Sequence, residues 1–84
     1  MRNREEKEYM ICQRLKTLGY ARERRIRLYG EELRLVSNPE PDGAGFAIEG
    51  ITRESKLRRM RIPLSVIQVL ERELELEAAS KSAA

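Results

Sequence analysis

The chain has 84 residues, of which 40% are apolar and 37% charged, and its formal net charge is +3. This length allows one domain, residues 1–84, with a modest core, and the apolar fraction argues against a wholly disordered chain. The basic residues are 13 Arg and 4 Lys. Arginine favours planar contacts with phosphate or carboxylate, although codon bias or selection for stability would give the same excess.

Several functional classes are disfavoured by residues that the sequence lacks. It contains no histidine, the commonest general base and metal ligand. The single cysteine, Cys12, cannot form an internal disulfide, so nothing requires an oxidising compartment. No run of about 18 apolar residues and no signal-peptide pattern occurs. We therefore expect a cytoplasmic protein without a membrane span.

The first predicted element is a helix over residues 3–18. Asn3 and Glu6 have the spacing of a capping box. The apolar stripe consists of Ile11, Leu15 and Leu18, with Cys12 beside it as a small core residue or, alternatively, a reactive thiol. Gly19 is placed to end the helix in a Schellman motif, with Tyr20 folded back on the last turn.

A hairpin follows, with strands predicted over 24–29 and 32–37. Gly30 and Glu31 would form its two-residue loop, a type II′ turn. This register pairs Tyr29 with Glu32, Leu28 with Leu33, Arg27 with Arg34, and Ile26 with Leu35. All four aliphatic side chains then share one face of the hairpin, and the arginines share the other.

Residues 37–45 are predicted to be a long loop, because two prolines and two glycines there disfavour both helix and strand pairing. Such a loop is either a solvated connection or a mobile functional segment. Strands over 46–51 and 57–62 come next, joined by the polar loop 52–56. Their pairing sets Ile48 opposite Met60, Phe46 opposite Ile62, Glu49 opposite Arg59, and Ala47 opposite Arg61.

The last predicted element is a helix over residues 65–77. Pro63 ends the preceding strand, and Ser65 with Gln68 has capping-box spacing. The apolar face of this helix covers about half its circumference, more than one small sheet requires. Val69 and Leu76 supply the surplus. Residues 78–84 are small and polar and are expected to fray.

Together these elements predict a small single α+β domain of order α-β-β-β-β-α. Its four-stranded antiparallel sheet would carry both helices on one face. The order of the strands in the sheet stays open.

The other face of the sheet is the main functional hypothesis. It would present Arg25, Arg27, Tyr29, Arg34, Arg59 and Arg61. Guanidinium groups on phosphates with an aromatic ring under a base are typical of nucleic-acid binding, to DNA or RNA. The alternative for the same residues is a solvated face in which Glu49 neutralises Arg59 and Glu32 lies near Arg34.

A second hypothesis places the function on the C-terminal helix. Val69 and Leu76 would form the contact of a homodimer or of a complex with another protein, which would bury the surplus apolar surface.

Catalytic and cofactor chemistry find little support. No carboxylate pair lies in an apolar setting that would shift its pKa, and the glycines of residues 43–50 precede a strand rather than a helix. Glu40 and Asp42 offer only two ligands where calcium takes six or more oxygens. We therefore expect a non-enzymatic binding module without metal, cofactor or small-molecule substrate.

Overall fold

The computed structural model describes residues 4–82. In chain order its elements are α1 (Arg4–Thr17), β1 (Arg25–Leu28), β2 (Glu31–Leu35), β3 (Glu40–Asp42), β4 (Gly45–Ile51), β5 (Leu57–Arg61) and α2 (Leu64–Ser82). All strand pairings are antiparallel, so the predicted α+β class is confirmed. Neither helix in this part of the chain combines the length and apolarity that a membrane crossing needs.

The end of α1 forms as predicted. Gly19 has a φ of 106°, and the Tyr20 N–H donates to the Leu15 carbonyl at 3.0 Å while the Gly19 N–H donates to Lys16 at 3.1 Å. These are the two hydrogen bonds of a Schellman motif, which returns Tyr20 to the core. The predicted cap at Asn3 lies outside the described residues.

The first hairpin has a different register from the predicted one. Its loop residues are Tyr29 and Gly30, with φ values of 50° and 76°, so the turn is of type I′ and not II′. Leu28 consequently pairs with Glu31, and Ile26 with Leu33. Each observed partner on β2 lies two residues before the predicted one. Because side chains alternate between faces with a period of two, every residue still lies on its predicted face.

The predicted loop 37–45 is also wrong, since it contains strand β3. This strand pairs with the start of β4, Glu40 with Ala47 and Asp42 with Gly45, and residues 43 and 44 make the tight connection. Pro41 lies within β3. Proline is tolerated there because β3 is an edge strand, where the missing N–H costs no ladder hydrogen bond.

The β4–β5 hairpin agrees with the predicted register. The pairs Ile48–Met60, Glu49–Arg59 and Ala47–Arg61 all form, and the Ile62 N–H donates to the Phe46 carbonyl at 2.9 Å. In the loop, the Ser55 N–H donates to the Thr52 carbonyl at 3.0 Å, and the Lys56 N–H to Thr52 Oγ1 at 3.2 Å. Thr52 is therefore buried with its hydroxyl satisfied.

The sheet is organised around β4. One side of β4 pairs with β5, and the other pairs with β2 at one end and with β3 at the opposite end. Chain 31–42 thus acts as one long strand interrupted between 36 and 39. Where β2 meets β4, a Cβ at Gly50 would lie 3.1 Å from Leu33 Cβ and 3.2 Å from the Arg34 carbonyl. Only glycine fits this close approach.

The second helix begins and ends outside its predicted limits. It starts at Leu64, and the Pro63 carbonyl accepts from the Val66 N–H at 3.1 Å, so Pro63 and not Ser65 lies at the cap. At the other end it continues through Ser82 instead of fraying after residue 77. The alanines after residue 77 have high helix propensity, which explains the extension.

Both helices pack on the same face of the sheet. The core comprises Ile11, Leu15, Leu28, Leu33, Leu35, Phe46, Ile48, Ile62, Ile67, Leu70 and Leu74. Lys7 of α1 pairs with Glu71 of α2 at 2.8 Å, and Arg14 pairs with Glu73 at 3.3 Å and with Glu77, so the two helices run in the same direction. We call the sheet face opposite to this core the outer face.

Candidate nucleic-acid interface

The structure divides the predicted arginine face into two halves. One half is the outer face of the β1–β2 hairpin, whose free cations Arg25, Arg27 and Arg34 we call the hairpin arginines. The other half lies on β3, β4 and β5 and holds Arg59 and Arg61. Register places all five side chains on the outer face, as predicted, but their electrostatic surroundings differ.

The hairpin arginines are exposed, and within residues 4–82 their side chains form no hydrogen bond or ion pair. Arg25 and Arg34 are direct cross-strand partners. Like charges opposite each other on a strand pair are destabilising. Glu32 lies opposite Arg27, but its carboxylate pairs with Arg53 Nη2 at 2.8 Å. The hairpin therefore carries an uncompensated positive cluster.

Arg59, in contrast to the hairpin arginines, is surrounded by carboxylates. Its Nη1 lies 2.5 Å from Glu40 Oε1 and 3.7 Å from Glu49 Oε1, and its Nε lies 3.7 Å from Asp42 Oδ2. The hydrogen bond to Glu40, opposed in part by desolvation, raises the pKa of Arg59 above its usual value. Two of these carboxylates come from β3, the strand that sequence reasoning missed. Arg59 is thus part of an internal ion-pair network.

Arg61 also has a local partner. Its Nη2 donates to the Asp42 carbonyl at 2.8 Å, and the tip of the guanidinium lies near Gly43. Ala47, its cross-strand partner on the outer face, is fully buried. Arg59 and Arg61 therefore link β5 to β3 across β4 through their guanidinium contacts with Glu40 and Asp42.

Tyr29 lies at the tip of the first hairpin, where it lines a shallow depression together with Arg27 and Arg53. It lies in the turn of the first hairpin, and its hydroxyl donates to the Arg61 carbonyl at 3.1 Å. Since the Ile62 N–H points to β4, strand alternation turns the Arg61 carbonyl to the free edge of β5. Glu31, beside the turn, lies 3.8 Å from Arg58 of the same strand. The hairpin tip thus reaches the edge of β5, while the Tyr29 ring stays 67% exposed.

A shallow cleft on the outer face brings in residues that sequence reasoning missed. It lies between β2 and the β4–β5 loop and is lined by Arg25, Glu32, Leu33, Arg34, Ile51, Thr52, Arg53 and Ser55. The β4–β5 loop reaches the hairpin because β2 pairs with the end of β4, Arg34 opposite Ile51. No sequence signal could have found Arg53 without the strand order.

The predicted partner residues of α2 are exposed. Val69 is 57% and Leu76 64% exposed, and they lie two turns apart on the helix. Leu74 is the last core residue of α2, so the final turns extend past the sheet. The molecule is accordingly elongated, with a radius of gyration of 14.2 Å. A compact chain of this length would have about 12 Å.

The geometry of the described residues supports neither a reactive thiol at Cys12 nor a metal site at Glu40 and Asp42. Burial, helped by Glu8, raises the pKa of the half-buried Cys12 thiol, which keeps it protonated near neutral pH. Within the described chain no three metal-ligating side chains come together. Glu40 and Asp42, the only candidates from the sequence, are both engaged with Arg59.

In comparisons with known proteins, no family model, no curated protein and no solved structure matches this chain. The functional conclusions therefore rest on its own residues.

Proposed function

We propose that the protein is a small, non-enzymatic, cytoplasmic module that binds nucleic acid through the hairpin arginines. The observation that carries this proposal is the pairing of Arg25 directly opposite Arg34, with no carboxylate on either side chain. A polyanion relieves the repulsion between the two guanidinium groups, whereas water and salt only screen it.

The spacing of the hairpin arginines suits a chain of phosphates. Direct cross-strand partners have Cα atoms about 4.5–5.5 Å apart, and residues two apart on one strand are about 6.7 Å apart. Arginine can hold a phosphate with two parallel hydrogen bonds. Arg25, Arg27 and Arg34 therefore form a triangle of donors that can contact more than one phosphate of a single strand or a duplex backbone.

Arg59, Arg61 and Tyr29 have a smaller part in this proposal than the sequence suggested. The two arginines already have acceptors inside the protein, and the tyrosine hydroxyl is engaged with β5. Only the Tyr29 ring is free to stack on a base. Phosphate contacts would then dominate over base contacts, so we expect little sequence preference and similar affinity for DNA and RNA.

The test is a fluorescence anisotropy titration with labelled single-stranded and duplex oligonucleotides of mixed sequence, repeated across salt concentrations. Binding by three arginines should give a slope of log K against log salt of about −2 to −3. The triple variant Arg25→Ala, Arg27→Ala, Arg34→Ala should lose binding.

Two single variants separate the cluster from net charge. Arg34→Ala and Arg72→Ala each remove one exposed arginine, and Arg72 lies on α2, away from the outer face. Only Arg34→Ala should weaken binding and flatten the salt slope. Equal losses, or a triple variant that binds like the unmodified protein, would contradict the proposal.

A second candidate function is self-association or binding of another protein through α2. It is supported by the exposure of Val69 and Leu76 on a helix that extends past the sheet. Under this alternative, the molar mass from light scattering should rise with concentration, and Val69→Glu should abolish the rise. Gln68→Glu is the matched control, since it adds the same charge at a neighbouring exposed position. A monomeric mass up to millimolar concentration would exclude a homodimer.

A further inference from the structure

The cleft between β2 and the β4–β5 loop has the composition of an anion site. Arg25 and Arg34 of the hairpin and Arg53 of the loop are three of its lining residues. Glu32 is the one carboxylate in the lining, so the cleft carries an excess of positive charge. A concave surface lined by one sign of charge concentrates the potential.

The walls of the cleft are held in place without any ligand. The Thr52 N–H donates to the Lys56 carbonyl at 2.9 Å, and the Ser55 N–H donates to the Thr52 carbonyl at 3.0 Å. Ser55 has a φ of 62°, a backbone conformation that this tight loop imposes. On the opposite wall, Arg34 belongs to a strand paired with β4. The site therefore needs no large rearrangement to receive an anion.

Glu32 forms an ion pair with Arg53 in the free protein. Their atoms are 2.8 Å apart, and the Arg53 side chain is 79% exposed. An ion pair as exposed as this one contributes little to stability, so an incoming anion can take its place. The other two arginines have no such partner to give up.

We infer that this cleft is a binding site for one phosphate group, which Arg25 and Arg34 hold while Arg53 exchanges Glu32 for the phosphate. That the phosphate belongs to a nucleic acid rests on the function proposed above. Ser55 belongs to the same lining, and a serine hydroxyl can donate a further hydrogen bond. Glu32 then acts as a built-in competitor that lowers affinity for every phosphate ligand.

The exchange of Glu32 for phosphate at Arg53 predicts an effect of mutation that a change in net charge alone does not predict. Glu32→Gln should tighten oligonucleotide binding about two- to fivefold, the worth of one exposed ion pair. Glu54→Gln makes the same charge change next to Arg53 on the β4–β5 loop but outside the cleft lining, and should have a smaller effect. In an Arg53→Ala background the gain from Glu32→Gln should fall to that of Glu54→Gln, because only the change in net charge then remains.

A titration with inorganic phosphate tests the cleft apart from any polymer. Saturable amide shifts confined to Arg25, residues 32–34 and residues 51–55 are expected, and amide spectra of each variant confirm that it is folded. Shifts spread over all basic residues, or a Glu32→Gln gain that is undiminished without Arg53, would overturn the inference. If phosphate binds here while oligonucleotides do not bind at all, the cleft stands and the nucleic-acid function fails.

Discussion

The two halves of the outer face use the same residue type for different ends. On the hairpin, Arg25 and Arg34 face each other without a carboxylate. On the β3–β5 half, Arg59 lies within 4 Å of carboxylate oxygens from Glu40, Asp42 and Glu49. The positive charges of Arg25 and Arg34 are not neutralised within the described protein, whereas that of Arg59 is. An exposed arginine on a strand therefore indicates a binding surface only when the protein supplies no acid to meet it.

The difference arises from what pairs with each end of β4. At one end β4 receives β3, which brings Glu40 and Asp42 to the outer face. At the other end it receives β2, which brings Arg34. Where the long strand 31–42 pairs with β4, it thus brings Glu40 and Asp42 to the outer face at one end and Arg34 at the other.

The largest effect is expected at the junction between the halves, from Gly50→Ala. The new Cβ would lie 3.1 Å from Leu33 Cβ and 3.2 Å from a backbone oxygen, so β2 would have to shift away from β4. We expect a loss of about 1–3 kcal/mol in the free energy of unfolding, measured by urea denaturation.

Gly45→Ala is the matched control for the junction. Its Cβ would lie 3.9 Å from Leu64 Cδ2, an ordinary contact, so this variant should be neutral or slightly stabilising. Equal destabilisation by the two variants would mean that the crossing of β2 and β4 is not constrained by Gly50.

The halves also differ in how far the sequence could predict them. The β4–β5 register followed from alternation and one loop length, and it is confirmed pair by pair. In the first hairpin, alternation fixed the faces but not the turn, because Gly30 can serve as the first or second loop residue. Only the backbone geometry distinguishes the two, through the positive φ of Tyr29.

Strand β3 and the cleft were beyond the reach of the sequence for a different reason. Pro41 disfavours a strand unless the strand lies at an edge, and edge status depends on the order of the whole sheet. The same order decides that Arg53 lies near Glu32, 21 positions away. Long-range placement of this kind leaves no local pattern, so the sequence could assign the arginines to one face but not the partners that β3 and the β4–β5 loop bring to it.

Charge reversal should affect the stability of the two halves in opposite directions. Arg34→Glu gives Arg25 an opposite charge directly across the hairpin and should stabilise by about 0.2–1 kcal/mol. Arg59→Glu adds a fourth carboxylate to the paired cluster and should lower the melting temperature. Thermal unfolding at low salt measures both. A fall in both variants would show that the hairpin arginines are not in mutual repulsion.

Removing the carboxylates around Arg59 should allow the β3–β5 half of the outer face to bind phosphate as well. The double variant Glu40→Gln, Glu49→Gln frees most of the Arg59 guanidinium for an external phosphate. We expect the salt slope of oligonucleotide binding to steepen by about 0.7–0.9, one additional phosphate contact.

The control for this conversion is Glu5→Gln with Glu75→Gln, which changes the net charge equally at exposed helix positions. Its slope should stay that of the unmodified protein. If both double variants steepen the slope alike, overall charge governs binding and the contrast between the halves has no functional meaning.

A smaller effect than that of Gly50→Ala is expected at Tyr29, the second place where the two halves are in contact. Tyr29→Phe removes the hydrogen bond to the Arg61 carbonyl but keeps the ring, so it should cost about 0.5–1 kcal/mol of unfolding free energy. Tyr9→Phe serves as the control, because Tyr9 is 64% exposed and its hydroxyl forms no hydrogen bond with the described residues. Urea denaturation compares the two.

Oligonucleotide affinity measured on the same Tyr29 variants separates the hydroxyl from the ring. If the ring stacks on a base, Tyr29→Phe should bind as tightly as the unmodified protein while Tyr29→Ala binds more weakly. Loss of affinity in Tyr29→Phe would instead mean that the hairpin must be tied to β5 before its arginines can bind. The binding surface would then depend on both halves, because the hydroxyl of one half fixes the position of the cations in the other.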